Sequence, residues 1–119
     1  KKCSEKFIQP PRFSSRCEKF IEIETIKRLR RQGVFVRSQV WCSVGRADIV
    51  TPDAVYEIKE ELSPRGLFFA IGQVLMYRQC LNPKARAVII GRRAGDIEPL
   101  ITIANQLGVE VEFFHDEEA

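Results

Sequence analysis

Residues 85–90, Ala-Arg-Ala-Val-Ile-Ile, limit the possible folds more than any other stretch of this chain. Five of the six are apolar, with no sustained polar alternation, and Asn82–Pro83 and Arg92–Arg93 bound the run. A strand of this composition has no solvent face, so it belongs inside a sheet covered on both sides. The rest of the chain supplies the cover. Ser14 or Ser15 can cap a helix running to about Gln32, with Gly33 as its stop. Phe20, Ile23, Ile26 and Leu29 recur along it at helical spacing, although charges interrupt the pattern. Residues 34–42, 47–50 and 54–59 read as strands, the last two joined by a turn at Thr51–Pro52–Asp53. Ser63–Pro64 precedes a helix over 66–81, and 96–107 reads as a helix stopped by Gly108. Residues 109–114 form a last strand. The order αβββαβαβ predicts an α/β fold with a central mixed sheet flanked by helices. The β–α–β connections at the end should be parallel and right-handed.

The chain has 119 residues, 45% hydrophobic and 29% charged, which suits one compact domain and excludes a disordered chain. Residues 14–114 are the expected domain, 1–13 a lead-in arm and 115–119 an acidic tail. No apolar run approaches the ~20 residues of a membrane-spanning helix. No signal sequence opens the chain, and its start at Lys1 is compatible with a processed chain or a piece of a longer one. Cysteines 3, 17, 42 and 80 contain no CxxC pair, which argues against structural zinc. Free, mostly buried thiols in a reducing cytoplasm are the expectation.

Charge is unevenly placed. Residues 1–46 hold twelve Lys or Arg against four Glu, whereas 47–119 hold seven against twelve Asp or Glu. The basic half is densest at Lys27, Arg28, Arg30 and Arg31, followed by Arg37 and Arg46. Such a stretch is either a solvated helix face or a polyanion contact, and nucleic acid is the polyanion that Lys and Arg bind through phosphate neutralisation.

The third strand carries Val55–Tyr56–Glu57–Ile58–Lys59. Strand periodicity puts Glu57 and Lys59 on one face and Tyr56 and Ile58 on the other. The hairpin turn at Pro52–Asp53 brings Asp48 of the preceding strand opposite Glu57. Two carboxylates in a small buried space repel unless a cation joins them. Mg²⁺ suits carboxylate oxygens, and the Ile58 carbonyl lies between them as a further ligand. A lysine beside such an ion can hold a water and face a phosphate. The competing reading is a surface Glu–Lys pair with Asp48 as a turn residue.

Asp48 followed by Glu57–Ile58–Lys59 resembles the PD-(D/E)XK nuclease superfamily, the restriction-endonuclease-like fold of many restriction enzymes, resolvases and recombination exonucleases. The αβββαβ order is similar to that core, and the resemblance covers residues 16–114. Gln73–Val74–Leu75–Met76–Tyr77 matches the QxxxY pattern of RecB-like branches, with Gln73 and Tyr77 on one helical face. The chain departs from the motif at its proline, where Ala47 stands. A glutamate on the first helix is also usual there. Glu22 shares a stripe with Ile26 and Leu29 and lies eleven residues before Gly33, a spacing similar to archaeal-type junction resolvases. Glu18 is the second candidate, and Glu24 is expected to pair with Arg28 or Arg31.

The resemblance implies a Mg²⁺-dependent deoxyribonuclease, with Mn²⁺ as the alternative ion and no small-molecule cofactor. Asp48, Glu57, the Ile58 carbonyl and Glu22 would hold metal, and Lys59 would orient the attacking water. Gln73 would orient the Glu57–Lys59 pair or the nucleophile. Tyr77, Arg28, Arg31, Arg37 and Arg46 would contact DNA. An endonuclease like homing endonucleases or resolvases would work as a homodimer or higher oligomer, and would be cytoplasmic. The alternative is a catalytically silent nuclease fold that binds nucleic acid or assembles with partners, and RNA is an alternative substrate. Phe35 and Trp41 are either core or stacking residues. Leu67, Phe68 and Phe69 are either core or an apolar contact, and Arg92–Arg93 is either a phosphate contact or a solvated loop.

Overall fold

A computed structural model describes residues 18–116. The expected arm, the Ser14 or Ser15 cap, Cys3, Cys17 and Glu117–Glu118 lie outside the described residues. The elements are α1 (Glu18–Arg31), β1 (Arg37–Cys42), β2 (Gly45–Thr51), β3 (Ala54–Leu62), α2 (Pro64–Leu81), β4 (Arg86–Arg93), α3 (Glu98–Gln106) and β5 (Val109–Phe113). They form one five-stranded sheet in the order β1-β2-β3-β4-β5. The β1/β2 and β2/β3 pairs are antiparallel, and the β3/β4 and β4/β5 pairs are parallel. The chain is therefore α/β with a mixed sheet flanked by helices.

The strand that was expected to lack a solvent face does so. Ala87, Val88, Ile89 and Ile90 are buried, and alternate residues feed two separate cores. Ala87 and Ile89 pack with Val55, Leu67, Val74 and Ala104 under α2 and α3. Val88 and Ile90 pack with Ile21, Leu29, Tyr56 and Ile58 under α1. No helix among the described residues is long and apolar enough to cross a membrane.

Local chemistry sets the ends of the elements. Ser63 caps α2, its hydroxyl accepting the Gly66 N–H at 3.1 Å, and Pro64 occupies the first turn. Gly33 follows α1 at φ +81°, a conformation that favours glycine. β1 begins at Arg37 rather than at 34, because β2 turns away at Pro52–Asp53 and leaves 34–36 no partner. β4 extends through Arg92 and Arg93 because β3 runs on to Leu62 beside them. These arginines are therefore not in a loop. Arg92 pairs with Asp116 at 2.6 Å and Arg93 with Glu98 at 2.9 Å.

Several side chains differ from the sequence expectation. The buried stripe of α1 is Ile21, Glu22, Thr25 and Leu29, with Ile23 turned outward. Glu24 pairs with Lys27 at 3.4 Å rather than with Arg28 or Arg31. Phe35, ahead of β1, Trp41 on the edge strand, and Phe68 and Phe69 on the outer side of α2 are exposed. Leu67 alone of its trio is core. Cys42 is half-buried and Cys80 exposed, both free thiols rather than buried ones.

Gly91 in β4 lies opposite Lys59 of β3, whose register shifts between Lys59 and Glu61. A Cβ on Gly91 would collide with the Lys59 carbonyl oxygen and come within 2.9 Å of the Leu62 side chain. Gly91→Ala should therefore lower stability by about 1–3 kcal/mol, read as a lower urea midpoint. An unchanged midpoint would show that the two strands have room to part.

Candidate functional site

The β2/β3 ladder pairs Thr51 with Ala54, Val50 with Val55 and Ile49 with Tyr56, then stops. The next opposed positions would be Asp48 and Glu57. Two carboxylates pressed together there would repel, and the strands part instead. Asp48 Oδ2 accepts the Ile58 N–H at 2.7 Å, a side chain replacing the lost backbone partner. Tyr56 and Ile58 are anchored in the α1-side core, while Val55 packs on the α2 side. That alternation fixes Glu57 and Lys59 on the second face, as the sequence predicts. Lys59 Nζ lies 3.7 Å from Glu57 Oε2.

The kink extends to β1. Its pairs with β2 run Ser38↔Ile49 and Val40↔Ala47, omitting Gln39 and Asp48. Ala47 packs with the α2-side core and Ile49 with the α1-side core, although residues two apart on a regular strand share a face. Gln39 has φ +54°, a left-handed conformation that costs a non-glycine residue roughly 1–2 kcal/mol. Its Nε2 donates to Glu22 Oε2 at 2.8 Å. The buried Glu22 carboxylate is thereby held from β1 and placed near enough to Asp48 to raise its pKa. Sequence reading gave Gln39 no role. Nothing local marks it, because its conformation arises from the break between strands.

The electrostatics are those of crowded acids. Burial raises the Asp48 carboxyl to about 6, opposed by the Ile58 N–H and reinforced by Glu22 and Glu18, with Lys59 lowering it. Burial, then Asp48, raises Glu57 to about 9 against the pull of Lys59. On α2, Tyr77 lies within the field of both acids and is hydrogen-bonded to Gln73. Burial, then Glu57, raises the Tyr77 phenol, while hydrogen bonding to Gln73 and to the Arg46 backbone lowers it. The Tyr77 ring and hydroxyl also sit where a side chain on Gly45 (φ +147°) would lie, at 2.8 Å from an added Cβ. Tyr77 thus braces α2 against the hairpin, a role beyond the DNA contact expected of it.

Among the described residues, no three His, Cys, Asp or Glu side chains form a ready-made metal cage. The donor set nevertheless suits a divalent cation. Glu57 Oε1 and Gln73 Oε1 are buried acceptors without a partner. A water could donate to them, whereas a cation would bind their lone pairs and also offset the repulsion between Asp48 and Glu57. Glu22 stands further back, with one oxygen engaged by Gln39.

The predicted basic contacts are scattered. Arg28 pairs with Glu112 at 3.4 Å and lies about 9 Å along the α1 axis from Glu22. Arg31, Arg37 and Arg46 are exposed. Of the four, Arg46 is nearest in sequence to the acids, two residues from Asp48.

Two predictions follow from this geometry. Between its ordinary 4.5 and about 9, Glu57 is protonated in the folded chain and ionised in the unfolded one. The folded state then binds more protons, so stability falls as pH rises. Without divalent cations the thermal midpoint should fall from pH 5 to pH 9, and Glu57→Gln should flatten that slope. A midpoint that rises over this range would contradict the assignment. Gln39→Ala should cost about 1–3 kcal/mol by leaving the Glu22 carboxylate without its donor, measured by urea unfolding.

No family model, curated protein or solved structure matches the chain, and the site is read from its own residues.

Proposed function

We propose that the protein is a metal-dependent DNA endonuclease that hydrolyses phosphodiester bonds. The observation that carries the proposal is the half-buried Asp48 and buried Glu57 beside Lys59, with unpartnered acceptor oxygens on Glu57 and Gln73. The element order α1-β1-β2-β3-α2-β4, with the acids where β2 and β3 part, supports a restriction-endonuclease-like fold of the PD-(D/E)XK kind.

In this reading Asp48 and Glu57 would hold Mg²⁺ or Mn²⁺, and Glu22 and the Ile58 carbonyl would be further oxygen donors. When bound, the ion neutralises the acids and polarises a phosphate oxygen. Lys59, its side chain 21% exposed, can reach solvent while touching Glu57. It orients water and offsets negative charge growing on the phosphate. Gln73 keeps an acceptor free beside the pair to position that water. The Ile58 N–H holds Asp48 in place. Gln39 does the same for Glu22. Arg31, Arg37 and Arg46 would bind the DNA backbone, fixing position rather than sequence. The small domain has little surface for a long site, and a homodimer would present paired sites to two strands.

The absence of a ready-made three-ligand group among the described residues favours, as the second reading, a nuclease fold that binds nucleic acid without cutting it. Cleavage of supercoiled plasmid, linear duplex, a four-way junction and RNA, each with Mg²⁺ or EDTA, separates the two. Lys59→Ala and Asp48→Asn should each reduce Mg²⁺-dependent cutting by on the order of hundreds-fold. Adding Mg²⁺ at neutral pH should also release protons and raise the thermal midpoint. Binding without cutting on every substrate, with no midpoint shift, would establish the second reading.

A further inference from the structure

The β1–β2 hairpin holds the chain's single tryptophan, and the ring is 71% exposed. This is not a frayed end. Val40, Trp41 and Cys42 pair in register with Ala47, Arg46 and Gly45. Val40 packs towards α2, and Tyr77 fits against the glycine at the turn. Strand alternation then turns Trp41 and Arg46 to the opposite side of the ribbon from Val40 and Ala47. The Arg46 guanidinium carbon lies 5.3 Å from the centre of the indole ring. One face of the ring is thus backed by a cation and the rest is presented to water. Residues 37–46 contain two arginines and no acid, so the hairpin complements a polyanion. Arg46 and Asp48 lie two residues apart on β2.

An aromatic ring on a rigid edge, backed by a guanidinium and flanked by positive charge, is chemistry that binds a nucleobase. A base inside a continuous duplex has both faces covered by its neighbours, so only an unpaired base can lie on this ring. We infer that Trp41, backed by Arg46, is a stacking platform for an unpaired base on the edge strand next to the one that carries Asp48. The substrate class is therefore DNA with single-stranded character (a free strand, a flap or an opened junction) rather than continuous duplex. This inference rests on the nucleic-acid reading of the site and adds its substrate class.

The test uses Trp41 as its own reporter, because no other indole contributes to the fluorescence. The protein is titrated in EDTA, so that nothing is cut, with a short oligothymidylate, an abasic strand of equal length and a relaxed closed-circular duplex, which has no uncovered terminal base pair. The oligothymidylate should quench the indole, and the abasic strand and the duplex should not. Anisotropy of labelled strands should show Trp41→Ala binding oligothymidylate about tenfold more weakly and the abasic strand unchanged. Trp41→Phe, which keeps an aromatic face, should recover most of the loss. Equal quenching by the abasic strand, unchanged binding by Trp41→Ala, or no binding of any strand would overturn the inference. Mg²⁺-dependent cutting that needs Lys59, without selective quenching, would remove the platform and leave the nuclease. Selective quenching without cutting would do the reverse.

Discussion

The hydrogen bond from the Ile58 N–H to Asp48 Oδ2, 2.7 Å long, is the contact on which the arrangement of the sheet depends. A regular antiparallel pair would set Asp48 directly against Glu57. The side chain takes over the backbone donor, and the strands can part without leaving that N–H unsatisfied. The opening leaves two acids near one another at the end of the β2/β3 ladder. It also propagates outward, because Gln39 must adopt a left-handed conformation where β1 follows the kink.

The acids cannot relax away from each other because apolar neighbours hold the backbone on both sides. Tyr56 and Ile58 are buried under α1, and Val55 is buried under α2. Moving Glu57 outward would require withdrawing its neighbours from the core, and burial of each large apolar side chain is worth ~1.5–3 kcal/mol. The protein therefore stores repulsion that a proton or a cation can relieve. Lys59 relieves part of it, and Gly91 allows the Lys59 backbone to pack closely enough for that contact.

The uneven charge of the sequence is partly hidden by the fold. Arg28 of the basic half meets Glu112 of the acidic half. Arg86, Arg92 and Arg93 pair with Glu110, Asp116 and Glu98. Charge counted along the chain thus overstates the basic surface available to a polyanion. Positive charge near the acids also lies on residues 37–46, which include Arg37 and Arg46 but no carboxylate.

The apolar run in β4, the Ser63–Pro64 start of α2 and the glycine stops were legible because each follows from local sterics or hydrophobic burial. Asp48, Glu57 and Lys59 were legible as neighbours because a short turn and a two-residue period leave little freedom between them. Gln73 and Tyr77 were legible as one helical face, but not as the brace between α2 and the hairpin, since that contact joins distant parts of the chain. The exposure of Trp41, Phe68 and Phe69 could not be read from an apolar pattern, which reports hydrophobicity without saying which side is covered. The sequence by itself determined the order of elements, the two-sided sheet and the spacing of the acids, because these depend on residues near one another in the chain. Tertiary structure alone decided the strained Gln39, its grip on Glu22 and the outward face of Trp41, because each depends on how the strands part in space.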